Sequence, residues 1–170
     1  MNGVLRQFLT NPKALIGLTI LALAVLVAVL APVLAPGDPW KMAGRPFLPP
    51  LQDMRFPFGT DMMGRDIMTG LIHGARVSIL VGLASTLVAL VFGLLFGTLA
   101  GFYGGWLDDM LMRITEFFQT IPTFFFALLL VAILSPSIVS ITLAISLVSW
   151  PPVARLVRSE FASLRGREFV

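Results

Sequence analysis

Residues 117–154 read FFQTIPTFFFALLLVAILSPSIVSITLAISLVSWPPVA, 38 positions without one charged side chain. As a single helix rising about 1.5 Å per residue, that run would be about 57 Å long, nearly twice the ~30 Å hydrocarbon core of a bilayer. It is therefore expected to cross a membrane twice, over residues 117–134 and 138–157, with Ser135-Pro136-Ser137 as the turn. Strands of a membrane barrel would alternate apolar and polar residues, whereas these runs are apolar on every side, so the spans are helical.

Two further charge-free runs precede it, residues 14–37 and 77–107, of 24 and 31 positions. Together the three runs hold 93 of the 170 residues, and all 21 charged side chains sit in the rest. With 57% hydrophobic residues and a mean hydropathy of +0.93, the chain lacks the polar exterior a soluble domain needs. The fold class that follows is all-α, a polytopic membrane helix bundle with four transmembrane helices.

The charge of +3 and pI near 10.2 do not point to a nucleic-acid partner, because seven of the twelve Lys and Arg flank spans closely. Counted by side, Arg6, Lys13, Arg113, Arg155, Arg158, Arg165 and Arg167 stand against Lys41, Arg45, Arg55, Arg65 and Arg76, which favours cytoplasmic termini. With no cysteine and a single histidine, His73, disulfides, thiolate sites and two-histidine metal helices are excluded. His73 itself reads as an interfacial residue.

The order along the chain is then a cytoplasmic tail (1–13), a first span (14–36) too long for a signal-peptide core, and a proline-rich external loop (37–78) ending in a short amphipathic helix. A second span (79–102), a cytoplasmic connection (103–116), the two spans above and the start of a further cytoplasmic segment (158–170) complete it, with a basic amphipathic stretch from Val153 to Arg165 leading into that segment. Gly93, Gly97 and Gly101 fall every fourth residue on one face of the second span, the pattern of a helix-packing ridge. Arg113 and Glu116 share a face and read as an interfacial anchor or a partner contact. Asp108 and Asp109, adjacent on a helix, point apart and form no catalytic dyad.

Several strings then match one family in order and separation. They are Phe58-Gly59-Thr60-Asp61-Met62-Met63-Gly64-Arg65-Asp66, Gly74-Ala75-Arg76-Val77-Ser78 and Ala100-Gly101-Phe102-Tyr103-Gly104-Gly105-Trp106-Leu107-Asp108. Arg113-Ile114-Thr115, Ile121-Pro122, Trp150-Pro151-Pro152-Val153-Ala154-Arg155-Leu156-Val157-Arg158 and Arg167-Glu168-Phe169-Val170 follow. Through them the chain resembles the inner-membrane permease subunit of bacterial ABC importers for dipeptides and oligopeptides. Phe56, Gly70 and His73 depart from residues common in that family.

The resemblance implies a six-span subunit of which four spans are present. It implies a heterodimer with a second permease subunit, two cytoplasmic ATPase subunits that bind the ATP, and a periplasmic or surface solute-binding protein. No cofactor or metal is expected in this chain, and no catalytic residue. The location implied is the bacterial inner (cytoplasmic) membrane. Arg167, Glu168, Phe169 and Val170 fall where the ATPase-coupling loop begins, so the chain is expected to be an N-terminal part that does not transport alone. A non-transporting scaffold or truncated remnant is the alternative.

Within the external loop, Asp61, Arg65 and Asp66 are the candidates for docking or gating, with Gly59 and Gly64 permitting a tight turn between them. An ion-paired turn that only fixes the loop is the other reading of the same residues. Two rival classes lack the residues they need. An intramembrane enzyme or a proton-coupled carrier requires a charged or histidine group inside a span, and the charge-free runs offer only Ser, Thr, Gln and one Tyr.

Overall fold

The computed structural model describes residues 10–165 and divides the chain into two compact units, one through Leu80 and one from Val81. Five helices follow one another: α1 (Pro12–Leu34), α2 (Ile67–Tyr103), α3 (Gly105–Thr120), α4 (Thr123–Ile133) and α5 (Ile138–Arg165). Among the described residues there is no strand, only two isolated bridges between residues 42 and 66.

In the first unit, α1 starts because Asn11 accepts the Lys13 N–H at 3.0 Å and Pro12 supplies a pre-set backbone angle. Its small residues Ala28 and Ala31 are buried, whereas Ile16, Ile20, Val29 and Val33 point outward. This is the inverse of a soluble helix and suits a lipid exterior, where packing rather than burial of large side chains holds helices together.

Residues 35–66 fold back as a closed loop. Its ends are tied by the Ala43 and Gly44 N–H groups donating to the Gly64 carbonyl (both 2.9 Å) and by Thr60 N–H donating to Leu48 (3.1 Å). Phe56 and Thr60 are its buried centre, and the Thr60 hydroxyl donates to the Arg45 carbonyl while accepting from Leu48 N–H at 3.0 Å. Large apolar residues at its surface, among them Trp40, Met42, Phe47 and Met54, are exposed.

Helix α2 is 37 residues long and continues without a break from the amphipathic segment into the span. The sequence suggested two pieces; Ala75 to Ser78 contain no helix breaker, so one rod forms. In the second unit its remainder packs with α3, α4 and α5 around Ala89, Trp150 and Ala154, against which Phe96 and Phe118 close. The Trp150 ring lies 4.8 Å from Phe96 and 5.4 Å from Phe118.

α3 and α4 meet at Ile121-Pro122 with a bend of 82°. Pro122 offers no N–H to continue the first helix, and its carbonyl instead begins the second through the Phe126 N–H at 3.0 Å. The Ser135-Pro136-Ser137 turn is held by the Ser140 hydroxyl donating to the Ser135 carbonyl at 2.7 Å. α5 then runs unbroken through Pro151 and Pro152. Three helices, α1, α2 and α5, are long and apolar enough to cross a bilayer, and the bent pair α3–α4 makes a fourth if it counts as one span.

Candidate functional site

The three charged candidates of the 35–66 loop come together in the first unit, where backbone N–H groups satisfy the two carboxylates. Gly64 (φ +74°) turns the chain so that the Asp61 Oδ1 accepts from Met63 N–H (2.8 Å) and Arg65 N–H (2.9 Å). Chiefly through the Arg65 N–H, and against an opposing push from burial, this turn holds the Asp61 carboxyl below the usual carboxylate range, with the Met63 N–H and the Arg65 charge adding to it. Asp66 begins α2: its Oδ1 accepts from Met68 N–H (3.1 Å), its Oδ2 from Thr69 N–H (3.1 Å) and the Thr69 hydroxyl (2.5 Å).

Among the described residues no ion pair joins Asp61, Arg65 and Asp66. The Arg65 guanidinium lies over the Trp40 ring at 5.0 Å, and its buried Nε has no acceptor. A cavity of about 890 Å³ opens beside these groups and continues along Ile67, Leu71 and Gly74. His73 edges it, with Nε2 3.0 Å from the Ala35 carbonyl at the end of α1.

In the second unit the glycines of α2 form a seam with α5. A Cβ added to Gly93 would stand 2.5 Å from Val153 Cγ1, one on Gly97 2.5 Å from the Ala154 carbonyl oxygen, and one on Gly101 2.6 Å from Phe161 Cβ. Only hydrogen fits there. By contrast Gly82, on the same helix, has nothing within 4 Å of such an atom. Beside the seam, a cavity of about 280 Å³ is lined by Phe92, Phe96, Phe118 and Trp150 with Ser146 its one hydroxyl, which is taken by the Thr142 carbonyl at 2.7 Å.

One pair escaped sequence reasoning. Asp108 at the start of α3 and Arg158 on α5 form a two-pronged contact, Nε to Oδ1 and the terminal nitrogen to Oδ2, both 2.5 Å. The two positions are 50 residues apart and carry no periodic relation, so the only signal was that both flank spans on the same side. Nearby, Arg165 donates to the Tyr103 carbonyl at 3.0 Å and closes the α2 terminus. Arg113 and Glu116 share a face without forming an ion pair. Arg167, Glu168, Phe169 and Val170 lie outside the described residues.

Long apolar helices, a glycine seam and no clustered metal ligands among the described residues define a multi-pass helical protein of the membrane. Residues 93–170 match the family model for the binding-protein-dependent transport system inner membrane component, and residues 1–50 that for the N-terminal TM domain of oligopeptide transport permease C. The dipeptide transport system permease protein DppC of Alkalihalophilus pseudofirmus is 38% identical over 170 residues, covering 97% of this chain and 54% of the relative. The di/tripeptide transport system permease protein DppC of Pseudomonas aeruginosa is 39% identical over 171 residues (97% and 56%). The oligopeptide transport system permease protein OppC of Escherichia coli K12 is 38% identical over 169 residues (97% and 55%).

The chain belongs to this family of inner-membrane transport permeases and corresponds to its N-terminal part. It spans about half the length of the curated relatives it matches.

Proposed function

We propose that the chain forms part of the transmembrane subunit of an ATP-driven importer for peptides or similar small solutes. The observation that carries this is the likeness over 97% of the chain to dipeptide and oligopeptide permeases. A second permease subunit completes the path, two cytoplasmic ATPase subunits bind and hydrolyse ATP, and an external binding protein delivers the solute. The termini are cytoplasmic, following the Lys and Arg count, and the 35–66 loop faces the binding protein. In that assembly Asp61, Arg65 and Asp66 shape the external mouth.

Mechanistically, transport needs a bundle with two packings, each stabilised by a ligand on one side of the membrane. The α2–α5 seam, closed to backbone distance, suits a rigid body within such a bundle, and the 82° bend between α3 and α4 suits a joint. The uncharged walls of the Phe96–Trp150 cavity fit a path that passes solutes without binding them tightly.

The test is co-purification followed by reconstitution. The tagged gene product, expressed with its neighbouring genes, is expected to retain an ATPase subunit and a second permease. In vesicles the complex is expected to hydrolyse ATP in response to peptide-loaded binding protein, and exchanging only that binding protein should change the solute imported. A product that purifies without an ATPase, from cells whose peptide uptake survives its deletion, refutes the proposal.

A further inference from the structure

The charged end of the cavity beside Trp40 and Arg65 stands in water. About 20 residues of α2 cross a hydrocarbon core, so with Tyr103 at one edge the other falls near Ala84. At about 1.5 Å per residue, the start of α2 at Ile67 then lies about 25 Å beyond that edge, past a headgroup layer about 5–8 Å deep. What reaches Asp61, Arg65 and Asp66 is therefore a dissolved molecule.

The cavity, about 890 Å³, has the size of a small-ligand site and its usual make-up, apolar walls from Ile67, Leu71 and Val77 with charge gathered at one end. There the Arg65 guanidinium carries five N–H donors, and among the described residues none of them reaches an acceptor, although Nε is buried. The Trp40 ring, 5.0 Å away, fixes the plane of this fork, the shape that suits a carboxylate. Asp61 spends Oδ1 on two backbone N–H groups and is ionised at neutral pH, its carboxyl being held below the usual range, yet it forms no ion pair with Arg65. Asp66 has both oxygens committed to Met68 and Thr69. Two carboxylates beside one guanidinium disfavour a ligand that is only anionic, so the ligand that fits brings an ammonium together with its carboxylate.

We propose that this cavity binds a short peptide with free termini, its terminal carboxylate on the Arg65 guanidinium, its terminal ammonium at Asp61 and an apolar side chain against Ile67 and Leu71. The proposal rests on the reading of the chain as part of a peptide importer, and adds to it a site for the solute on the permease itself, at the external mouth. One small molecule then supplies both charges and the apolar group that the walls accept.

A saturation-transfer NMR titration of leucyl-leucine onto the tagged gene product, purified with its partner subunits into lipid nanodiscs and free of binding protein and ATP, tests the site. Leucyl-leucine amide, without the carboxylate, and N-acetyl-leucyl-leucine, without the ammonium, should each bind about tenfold more weakly. Arg65→Gln should weaken leucyl-leucine about tenfold and leave the amide unchanged. Asp61→Asn, which keeps an acceptor for the turn, should weaken leucyl-leucine and leave the N-acetyl peptide unchanged. Equal affinity of the unaltered protein for acid and amide, or displacement of leucyl-leucine by an equal concentration of acetate, would overturn the proposal without any variant. An Arg65→Gln loss shared equally by acid and amide would overturn it too, leaving Arg65 a fixture of the loop. So would a loss of binding-protein docking in Arg65→Gln with peptide affinity intact, which would assign the guanidinium to a carboxylate of that protein. The titration requires no import: a complex that takes up peptide but treats acid and amide alike refutes this site alone, whereas one that tells them apart and takes up no peptide refutes the importer reading and leaves the site.

Discussion

Replacing Gly97 by alanine is the sharpest probe of the bundle. Its new Cβ would lie 2.5 Å from the Ala154 carbonyl oxygen and 2.7 Å from Val157 Cβ, where ordinary contact begins at 3.4 Å. The seam must therefore open by about 0.9 Å at a point where one neighbour is backbone and cannot swing aside. Overpacking of this kind costs about 1–3 kcal/mol, and the better helix propensity of alanine returns up to about 1 kcal/mol. With that gain fully returned the net loss is about 0–2 kcal/mol, which leaves Gly97→Ala about 1–3 kcal/mol below a control that gains the propensity alone. Gly82→Ala supplies the control, because it gains the same propensity on the same helix with nothing within 4 Å of its Cβ. Its expected effect is neutral to about 1 kcal/mol stabilising. Reversible unfolding in mixed micelles of increasing SDS, followed by tryptophan fluorescence, measures both. If Gly97→Ala proves as stable as Gly82→Ala, α2 and α5 do not meet at backbone distance and the packing argument fails.

Other consequences are as direct. Gly59→Ala and Gly64→Ala each force a side chain into a positive φ (+75° and +74°) and onto a carbonyl, of Leu48 and Gly44 respectively, so limited proteolysis should cut the 35–66 loop far faster in either variant. Arg158→Ala leaves the Asp108 carboxylate, whose side chain is 16% exposed, without its partner; a loss of about 1–3 kcal/mol is expected, and the double variant with Asp108→Ala should recover part of it in a thermodynamic cycle. The Asp61 carboxyl titrates lower in the folded loop than in an unfolded chain, so its contribution is fully present above the ordinary carboxylate range and fades as pH falls through the folded value. Hydrogen exchange of the Met63 and Arg65 amides should accordingly stay protected at neutral pH and gain an acid-induced opening that Asp61→Asn lacks.

How far the sequence revealed this architecture depended on the kind of signal. Hydrophobic runs longer than a bilayer needs located the apolar helices, because lipid demands uniform apolarity and leaves no ambiguity of period. The glycine ridge was legible for a related reason: a spacing of four on a helix is a geometric statement, and Gly93, Gly97 and Gly101 indeed share the face against α5. Charges were less legible. Three of them within six residues suggested mutual pairing, yet Asp61 and Asp66 turn to the N–H groups beside them, since a local backbone donor needs no side-chain ordering to be reached.

Long-range pairing was the least legible of all. Nothing in the string around Asp108 distinguishes it from Asp109, and their difference arises only when the seam sets the register of α5 against α2. With Gly97 seated on Ala154 and Gly101 on Arg158 and Phe161, the Arg158 side chain reaches the first turn of α3 and takes Asp108. The ion pair is thus a consequence of the glycine spacing, and a stability assay can detect the coupling. If widening the seam with Gly101→Ala draws Arg158 away, then adding Arg158→Ala to Gly101→Ala should cost less than Arg158→Ala alone. Strict additivity of the two changes would show instead that the pair forms independently of the seam.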